Sequence, residues 1–384
     1  MIRERDGKNQ GRVAVSVGMD YERPLFFRVM QYADAAERDV VDMVSGNPDW
    51  APPEALREGL REYADLPVEH YQYPPSEGLD ELRAAIAAEH DVPAGSVFVT
   101  NGAGEANHLG MAVGLDEFPG SEVLLTDPVY PYYAGRAELL RADARYVAAD
   151  EGGRLDPTDV CRSAGDDTAV IVVNSPNNPT GAVYGRETMR SLVDIAEAND
   201  ALLVSDEVYS RFDHSGRFAS ALAFDSEHRF VTSAFSKSMA ITGLRVGYAV
   251  VPEPLRPAVR TRHMLTNVAC SRPAQYAVLR ALRETPDSYY ERNRELVADR
   301  VGTFTAALDA AGADYVTPEG AFYVLARFDG YPGTLANVER LIDEAGVAGM
   351  PGDAFGESRA DWLRFALVTP RVETAARRLT EFFA

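Results

Sequence analysis

The hydrophobic positions along the chain gather into short, nearly unbroken runs separated by stretches of mixed polarity. The runs are SVFVT (96–100), EVLLTD (122–127), AVIVV (169–173), ALLVSD (201–206), RFVTS (229–233) and VGYAVV (246–251). Each has the length of one buried strand and is rich in Val and Leu. Between several of them lie helix-like stretches, such as ETMRSLVDIAEAND at 187–200. This alternation predicts an α/β fold in which a mostly parallel, mixed sheet is sandwiched by helices.

The two ends of the chain read differently. A long helical pattern at 287–311 is followed by strand-like YVLARF (323–328) and WLRFALV (362–368), and by a closing helix at 371–383. A helix near 25–37 joins this group, because the turn-rich SGNPDWAPPE separates it from the sheet region. The expected organisation is a large α/β domain over 48–271 and a smaller α+β domain built from both ends, 1–47 and 272–384. An open α/β sheet binds ligands beyond the carboxyl ends of its strands, so the residues that follow each run are the candidates for chemistry.

Those residues form an ordered set. After SVFVT, Gly102, Ala103 and Gly104 open a helix, where free backbone N–H groups and the helix dipole favour an anion. After EVLLTD comes DPVYPYY, whose tyrosines serve either as packing or as a stacking face for a flat ring. After AVIVV comes NSPNNPTG (174–181), a rigid Asn-Pro turn; after ALLVSD, Asp206 is followed by Tyr209, and the carboxylate could equally cap the next segment. After RFVTS, the segment SAFSKSMAITGLRVGY (233–248) brings Ser236, Lys237 and Arg245. Each has a structural explanation when taken alone. Together they match a ligand carrying a phosphate, an aromatic ring, a phenolic oxygen and an aldehyde.

The motifs NPTG (178–181), DEVY (206–209), SK (236–237) with GLRVGY (243–248), and the arginine of WLRF (364) resemble, in this order and spacing, the fold-type I pyridoxal-phosphate enzymes. The resemblance is to the class I/II aminotransferases related to aspartate aminotransferase, and it runs from SGNPDW at 45–50 to LRFALV at 363–368. It implies that pyridoxal 5′-phosphate is held as a Schiff base by Lys237, which then acts as the acid/base in ping-pong exchange of an amino group between an amino acid and a 2-oxo acid. Asp206 would pair with the pyridine nitrogen, Asn178 and Tyr209 with the phenolic oxygen, and Tyr130 would stack on the ring. Arg245, Ser236 and the backbone at Ala103–Gly104 would take the phosphate, together with Tyr73 from a neighbouring subunit, which implies a homodimer with shared active sites. Arg364 would hold the substrate α-carboxylate through its guanidinium fork, with Gly46 and Asn178 bordering the substrate.

The same resemblance admits a pyridoxal-phosphate β-lyase or related synthase, and more remotely a non-catalytic regulatory module. The wording SPNNPTG and DEVYSRF is closer to the aminotransferases. Two departures stand out. Relatives often carry a hydroxyl residue or a Gly-Lys pair in the phosphate loop where this chain has Ala103–Gly104, and such a lysine assists dicarboxylate substrates in one branch. The stacking position is Tyr130 where Trp or Phe is commoner. No amino acid is named by these motifs, and Arg136 and Arg272 are among several arginines that could meet a distal carboxylate.

Composition adds a boundary. Asp and Glu number 59 against 38 Lys and Arg, a formal net charge of −21. So acidic a surface disfavours nucleic acid and anionic membranes as partners, and with them the regulatory module. Only Lys8 and Lys237 among those 38 basic residues are lysines. High acidity with almost no lysine resembles proteins of salt-accumulating cells. With no long apolar span, no secretory pattern at the N-terminus and two cysteines in no metal-like spacing, the expectation is a cytoplasmic, metal-free enzyme.

Overall fold

The computed structural model of the protein describes residues 25–384. Residues 1–24, the first part of the expected segment 1–47, lie outside the described residues. After a two-residue strand β1 (Val41–Asp42), seven strands build a central sheet: β2 (Val97–Thr100), β3 (Glu122–Asp127), β4 (Asp143–Ala148), β5 (Thr168–Asn174), β6 (Leu202–Asp206), β7 (Arg229–Ala234) and β8 (Gly247–Val250). Their order is β2-β8-β7-β6-β5-β3-β4. Only β8 runs against its neighbours, β2 and β7; every other pairing in the sheet is parallel.

Six of these strands coincide with the apolar runs. The alternation of side chains explains why the runs are unbroken: Ile171 and Val173 of β5 enter one core, Val170 and Val172 the other. Both faces of the strand are dry, so both sets must be apolar. The strand that carried no apolar signal is β4, DARYVA, at the sheet edge. Of its six residues only Val147 is buried, so little of it needs to be hydrophobic.

The C-terminal part supplies β9 (Asp314–Tyr315), β10 (Tyr323–Arg327), β11 (Val347–Ala348), β12 (Met350–Pro351) and β13 (Leu363–Ala366). Four of them form an antiparallel sheet in the order β12-β13-β10-β9, while β11 pairs in parallel with β1. That pairing ties the two chain ends together. A separate core joins Val29, Val41 and Met43 to Phe304, Val324, Phe365 and Leu379. The helices expected near 25–37, 287–311 and 371–383 are observed at Leu25–Ala35, Asp287–Ala310 and Val372–Phe383. The helix Arg272–Glu284, in contrast, turns Ala274, Ala277 and Val278 into the same core as β2 and β5. We propose on this packing that the division between the two domains falls after this helix, later in the chain than residue 272.

Register sets up the site. Asn174 pairs with Asp206 and Asp206 with Thr232 across β5, β6 and β7, so three polar side chains stand abreast at the carboxyl edge of the sheet. Above them the helix Ala103–Glu117 lies close on the sheet because Gly110 and Gly114 carry no side chain. A Cβ on Gly114 would come 2.5 Å from Val170 Cγ2, and one on Gly110 2.9 Å from Phe230 Cδ1. Replacing Gly114 with leucine should therefore force the helix off the sheet and destabilise the protein by about 1–3 kcal/mol, the usual cost of overpacking. Urea unfolding of Gly114→Leu beside the parent checks this; an unchanged midpoint would show that the contact is not tight.

Candidate active site

A cavity of about 460 Å³ opens at the carboxyl ends of the central strands, where they face the C-terminal sheet and the helix Leu25–Ala35. Lys237 sits in the four-residue helix Phe235–Ser238 immediately after β7. Its Nζ donates to the carbonyl of Gly46 at 2.7 Å. No carboxylate stands within ion-pair distance of it among the described residues, whose ion pairs are formed by arginines and by His263. Burial, followed by the positive charges of Arg364 and Arg245, lowers the Lys237 amine from 10.5 to about 8, with Asp206 acting in the opposite direction.

Asp206 ends β6 and is buried. Its Oδ2 accepts from Asn107 Nδ2 and from the Tyr133 hydroxyl, both at 2.6 Å, and its Oδ1 accepts from the Val208 amide at 3.1 Å. Thr232 donates to Asn107 Oδ1 at 2.6 Å, which fixes the amide with its NH₂ toward the carboxylate. Burial raises the Asp206 pKa and the hydrogen bonds from Tyr133, Asn107 and Val208 oppose it. The Oδ1 contact is a turn bond two residues on and not a helix cap, since the helix that follows, Ser210–Phe212, begins at Tyr209 with no side-chain cap; the buried carboxylate lines the cavity.

The turn after β5 is held by Asn174, whose Oδ1 accepts from the Asn178 amide at 2.8 Å while its Nδ2 donates to the Asp206 carbonyl at 2.9 Å. Asn178 Oδ1 then accepts from Arg364 Nη1 at 3.1 Å. Arg364 comes from β13 and is 1% exposed; its Nη2 donates to the Val44 carbonyl and its Nε has no hydrogen-bond partner among the described residues. The rings of Tyr323, Phe355 and Phe26 surround the guanidinium at 4.5, 5.0 and 5.1 Å. A buried cation held by carbonyls and ring faces, with a free N–H and no carboxylate, is poised for an anion.

Gly46 faces this arrangement with no room for a side chain: a Cβ would lie 2.3 Å from the Tyr323 hydroxyl and 3.4 Å from Lys237 Nζ. The Tyr209 and Tyr323 hydroxyls share a hydrogen bond of 2.9 Å. At the other end, Ala103 and Gly104 begin the helix Ala103–Glu117, and Arg245 donates from Nη2 to the Asn101 carbonyl at 3.0 Å. Gly102, at φ +76°, leaves space that the Arg245 guanidinium fills, since a Cβ there would be 2.5 Å from Nη2. Ser236 is buried beside Lys237, and Tyr130 lines the wall.

All the sequence-derived site residues except one line this single cavity. Tyr73 does not; it is 82% exposed and borders a separate surface groove with Arg272. Sequence reasoning missed Asn107, Thr232 and Tyr323. Asn107 carried a usable signal, a lone amide in the middle of a largely apolar helix, where it is 3% exposed. Tyr323 carried none, because an aromatic residue in a strand is ordinary packing.

A family model described as "Aminotransferase class I and II" matches residues 38–379. The aspartate aminotransferase of Thermotoga maritima is 32% identical over 358 residues, spanning 90% of this chain and 91% of that protein. The aspartate/prephenate aminotransferase of Thermus thermophilus is 34% identical over 342 residues, spanning 84% of this chain and 86% of that one. In three dimensions the chain is similar to a Thermus thermophilus aspartate aminotransferase solved with maleate, with a TM-score of 0.86 at 30% identity, covering 94% of this chain and 96% of that one. Fold, cavity and kinship agree: the chain belongs to the class I and II aminotransferases and is a pyridoxal-phosphate-dependent enzyme of that family.

Proposed function

We propose that the cavity binds pyridoxal phosphate through Lys237 and transfers amino groups between α-amino acids and 2-oxo acids, with Arg364 taking the α-carboxylate. The observation that carries this reading is the pair of cations in the cavity, Lys237, half-buried, and Arg364, buried with an Nε that has no hydrogen-bond partner, neither of them paired with a carboxylate among the described residues. The donor set fits the cofactor: a helix start with small residues beside Arg245 and Ser236 suits a phosphate, and a buried carboxylate suits a ring nitrogen. Bound pyridoxal phosphate supplies an aldehyde that captures amines and a ring that accepts electrons.

The side chains divide the remaining work. Asp206, oriented by Asn107 and Tyr133, holds a proton on the nitrogen that pairs with it. Tyr209 and Asn178 would donate to the ring oxygen, and Tyr130 would cover the ring face. Arg364 orients the substrate so that its Cα–H points toward Lys237. Lys237 Nζ, whose pKa burial and the neighbouring arginines lower to about 8, would take the proton from the substrate Cα and deliver it to the carbon that had been the aldehyde carbon of the cofactor. The carbonyl of Gly46, which accepts from Nζ, marks the position the amine occupies between these steps.

A homodimer completes the reading. Tyr73, Tyr71, Val68 and Leu265 are exposed at 82, 56, 67 and 77%, and Tyr73 is assigned to the phosphate of a neighbouring subunit. The relatives named for aspartate and prephenate suggest acidic amino acids as partners in the reaction. The acidity and near-absence of lysine suit activity at high salt.

Lys237→Ala should abolish transamination, with a loss beyond the roughly 10²–10⁴-fold of a general acid/base alone. Borohydride reduction of the pyridoxal-phosphate-loaded protein followed by peptide mapping should place the label on Lys237, with Lys8 as the only competing side chain. Label on neither lysine, or near-normal turnover of the alanine variant, would sink the assignment. The rate at which cofactor-free protein captures pyridoxal phosphate should rise with pH up to about 8 and level off above it, because only the neutral amine attacks. Arg364→Met removes one of the cations that depress this amine, so the profile should move to higher pH. For the dimer, sedimentation should give twice the chain mass, and Tyr73→Phe should weaken pyridoxal phosphate binding about 10- to 100-fold, the worth of one hydrogen bond to a charged group. Unchanged affinity in the phenylalanine variant would remove Tyr73 from the site.

A further inference from the structure

Among the described residues four cationic side chains line the cavity, Arg136, Lys237, Arg245 and Arg364, against one carboxylate, Asp206. The function proposed above uses three of them: Lys237 for the cofactor aldehyde, Arg245 for the phosphate and Arg364 for the α-carboxylate. Arg136 is left over. It sits on the helix Pro131–Leu139 and is held from within that helix, its Nη1 donating to the Tyr132 carbonyl at 2.9 Å. That is its only hydrogen bond among the described residues, and it forms no ion pair there.

The opposite wall makes room for it. Gly104 lacks a side chain, and a Cβ at that position would come within 3.1 Å of Arg136 Nη2. The guanidinium therefore fills space at the start of the helix Ala103–Glu117 that any larger residue would contest. Arg364 enters the same cavity from a different layer, the C-terminal sheet. Tyr130, Arg136 and Arg364 line the same cavity. Arg272, the other arginine singled out in the sequence, faces a different groove, where its Nη1 donates to the carbonyls of Glu69 and Gln72.

We infer that Arg136 determines specificity by receiving the second acidic group of a dicarboxylic substrate whose α-carboxylate is on Arg364. The inference rests on the aminotransferase reading above. An amino acid with an apolar side chain would shut a guanidinium out of water with no anion to pair it, which disfavours binding. A second carboxylate removes that cost and gains charge-assisted hydrogen bonds from Nε and Nη2. The cofactor phosphate offers similar oxyanion chemistry, but the helix start, Ser236 and Arg245 already converge on it; the substrate carboxylate is the anion otherwise unmatched.

The test compares the pyridoxal-phosphate-loaded parent with Arg136→Met and Arg136→Lys, using succinate and butyrate as unreactive ligands of equal chain length. Calorimetry should show the parent preferring succinate. Arg136→Met should weaken succinate about 10- to 100-fold, the worth of one charge-assisted contact, while butyrate and pyridoxal phosphate affinities stay within about threefold, less than the 1.4 kcal/mol that a factor of ten represents. Arg136→Lys should fall between, and carries the test if the methionine variant fails to fold. In turnover, kcat/KM should fall for aspartate and hold or rise for 2-aminobutyrate. Equal weakening of succinate and butyrate, or unchanged succinate binding, would overturn the inference. Lost pyridoxal phosphate affinity with an unchanged succinate-to-butyrate ratio would overturn it in favour of the phosphate. A parent that transaminates 2-aminobutyrate with no preference for aspartate defeats this inference alone; one that transaminates no amino acid defeats the reading beneath it.

Discussion

Positive charge held in a confined space without matching negative charge is the constraint on which the site depends. A buried guanidinium ordinarily finds a carboxylate, because an unpaired charge in a low-dielectric interior costs several kcal/mol. Arg364 instead rests on a carbonyl, an amide oxygen and three aromatic rings, and Lys237 on a single carbonyl. These contacts hold the groups in place without neutralising them. The consequences reach outward: Lys237 is driven toward its neutral form, and the cavity as a whole favours anions.

The scaffold tolerates this because its rigidity comes from elsewhere. The parallel strands are covered on both faces by apolar side chains, and Asn174, Asp206 and Thr232 sit in register at their ends. Asp206 is buried among donors that orient it, and those donors are themselves oriented, Asn107 by Thr232. Such a relay keeps a carboxylate fixed in direction, which a solvated aspartate at a strand end would not be. Gly46 and Gly102 contribute by what they lack, letting Tyr323 and Arg245 occupy space that a Cβ would take.

The strands covered on two faces were legible because burial on both sides demands unbroken apolar runs. The edge strand β4 was not, since exposure relaxes that demand. The motif-bearing residues were legible because each follows a strand and belongs to a chemically demanding type: a lysine for the aldehyde, a carboxylate for a basic nitrogen, an arginine for a carboxylate. Residues that act by orienting others were hidden. Thr232 is one more small polar residue in a strand, and Tyr323 one more aromatic residue in a core.

Acidity by itself argued against nucleic acid as a partner, and chain order alone put a glycine-flanked helix start, a turn amide, a carboxylate and a lysine after successive strands. Those conclusions need only local pattern, because strand periodicity and residue chemistry are local properties. Which arginine stands beside which anion is a long-range matter. Arg364 meets Val44 across 320 positions and Asn178 across 186, and Arg136 meets Gly104 through the packing of two helices. Nothing in a single stretch of sequence encodes such distances; they follow from how the sheet, its covering helices and the C-terminal layer close around the cavity, and only that closure decides which described guanidiniums meet a carboxylate and which meet carbonyls and rings.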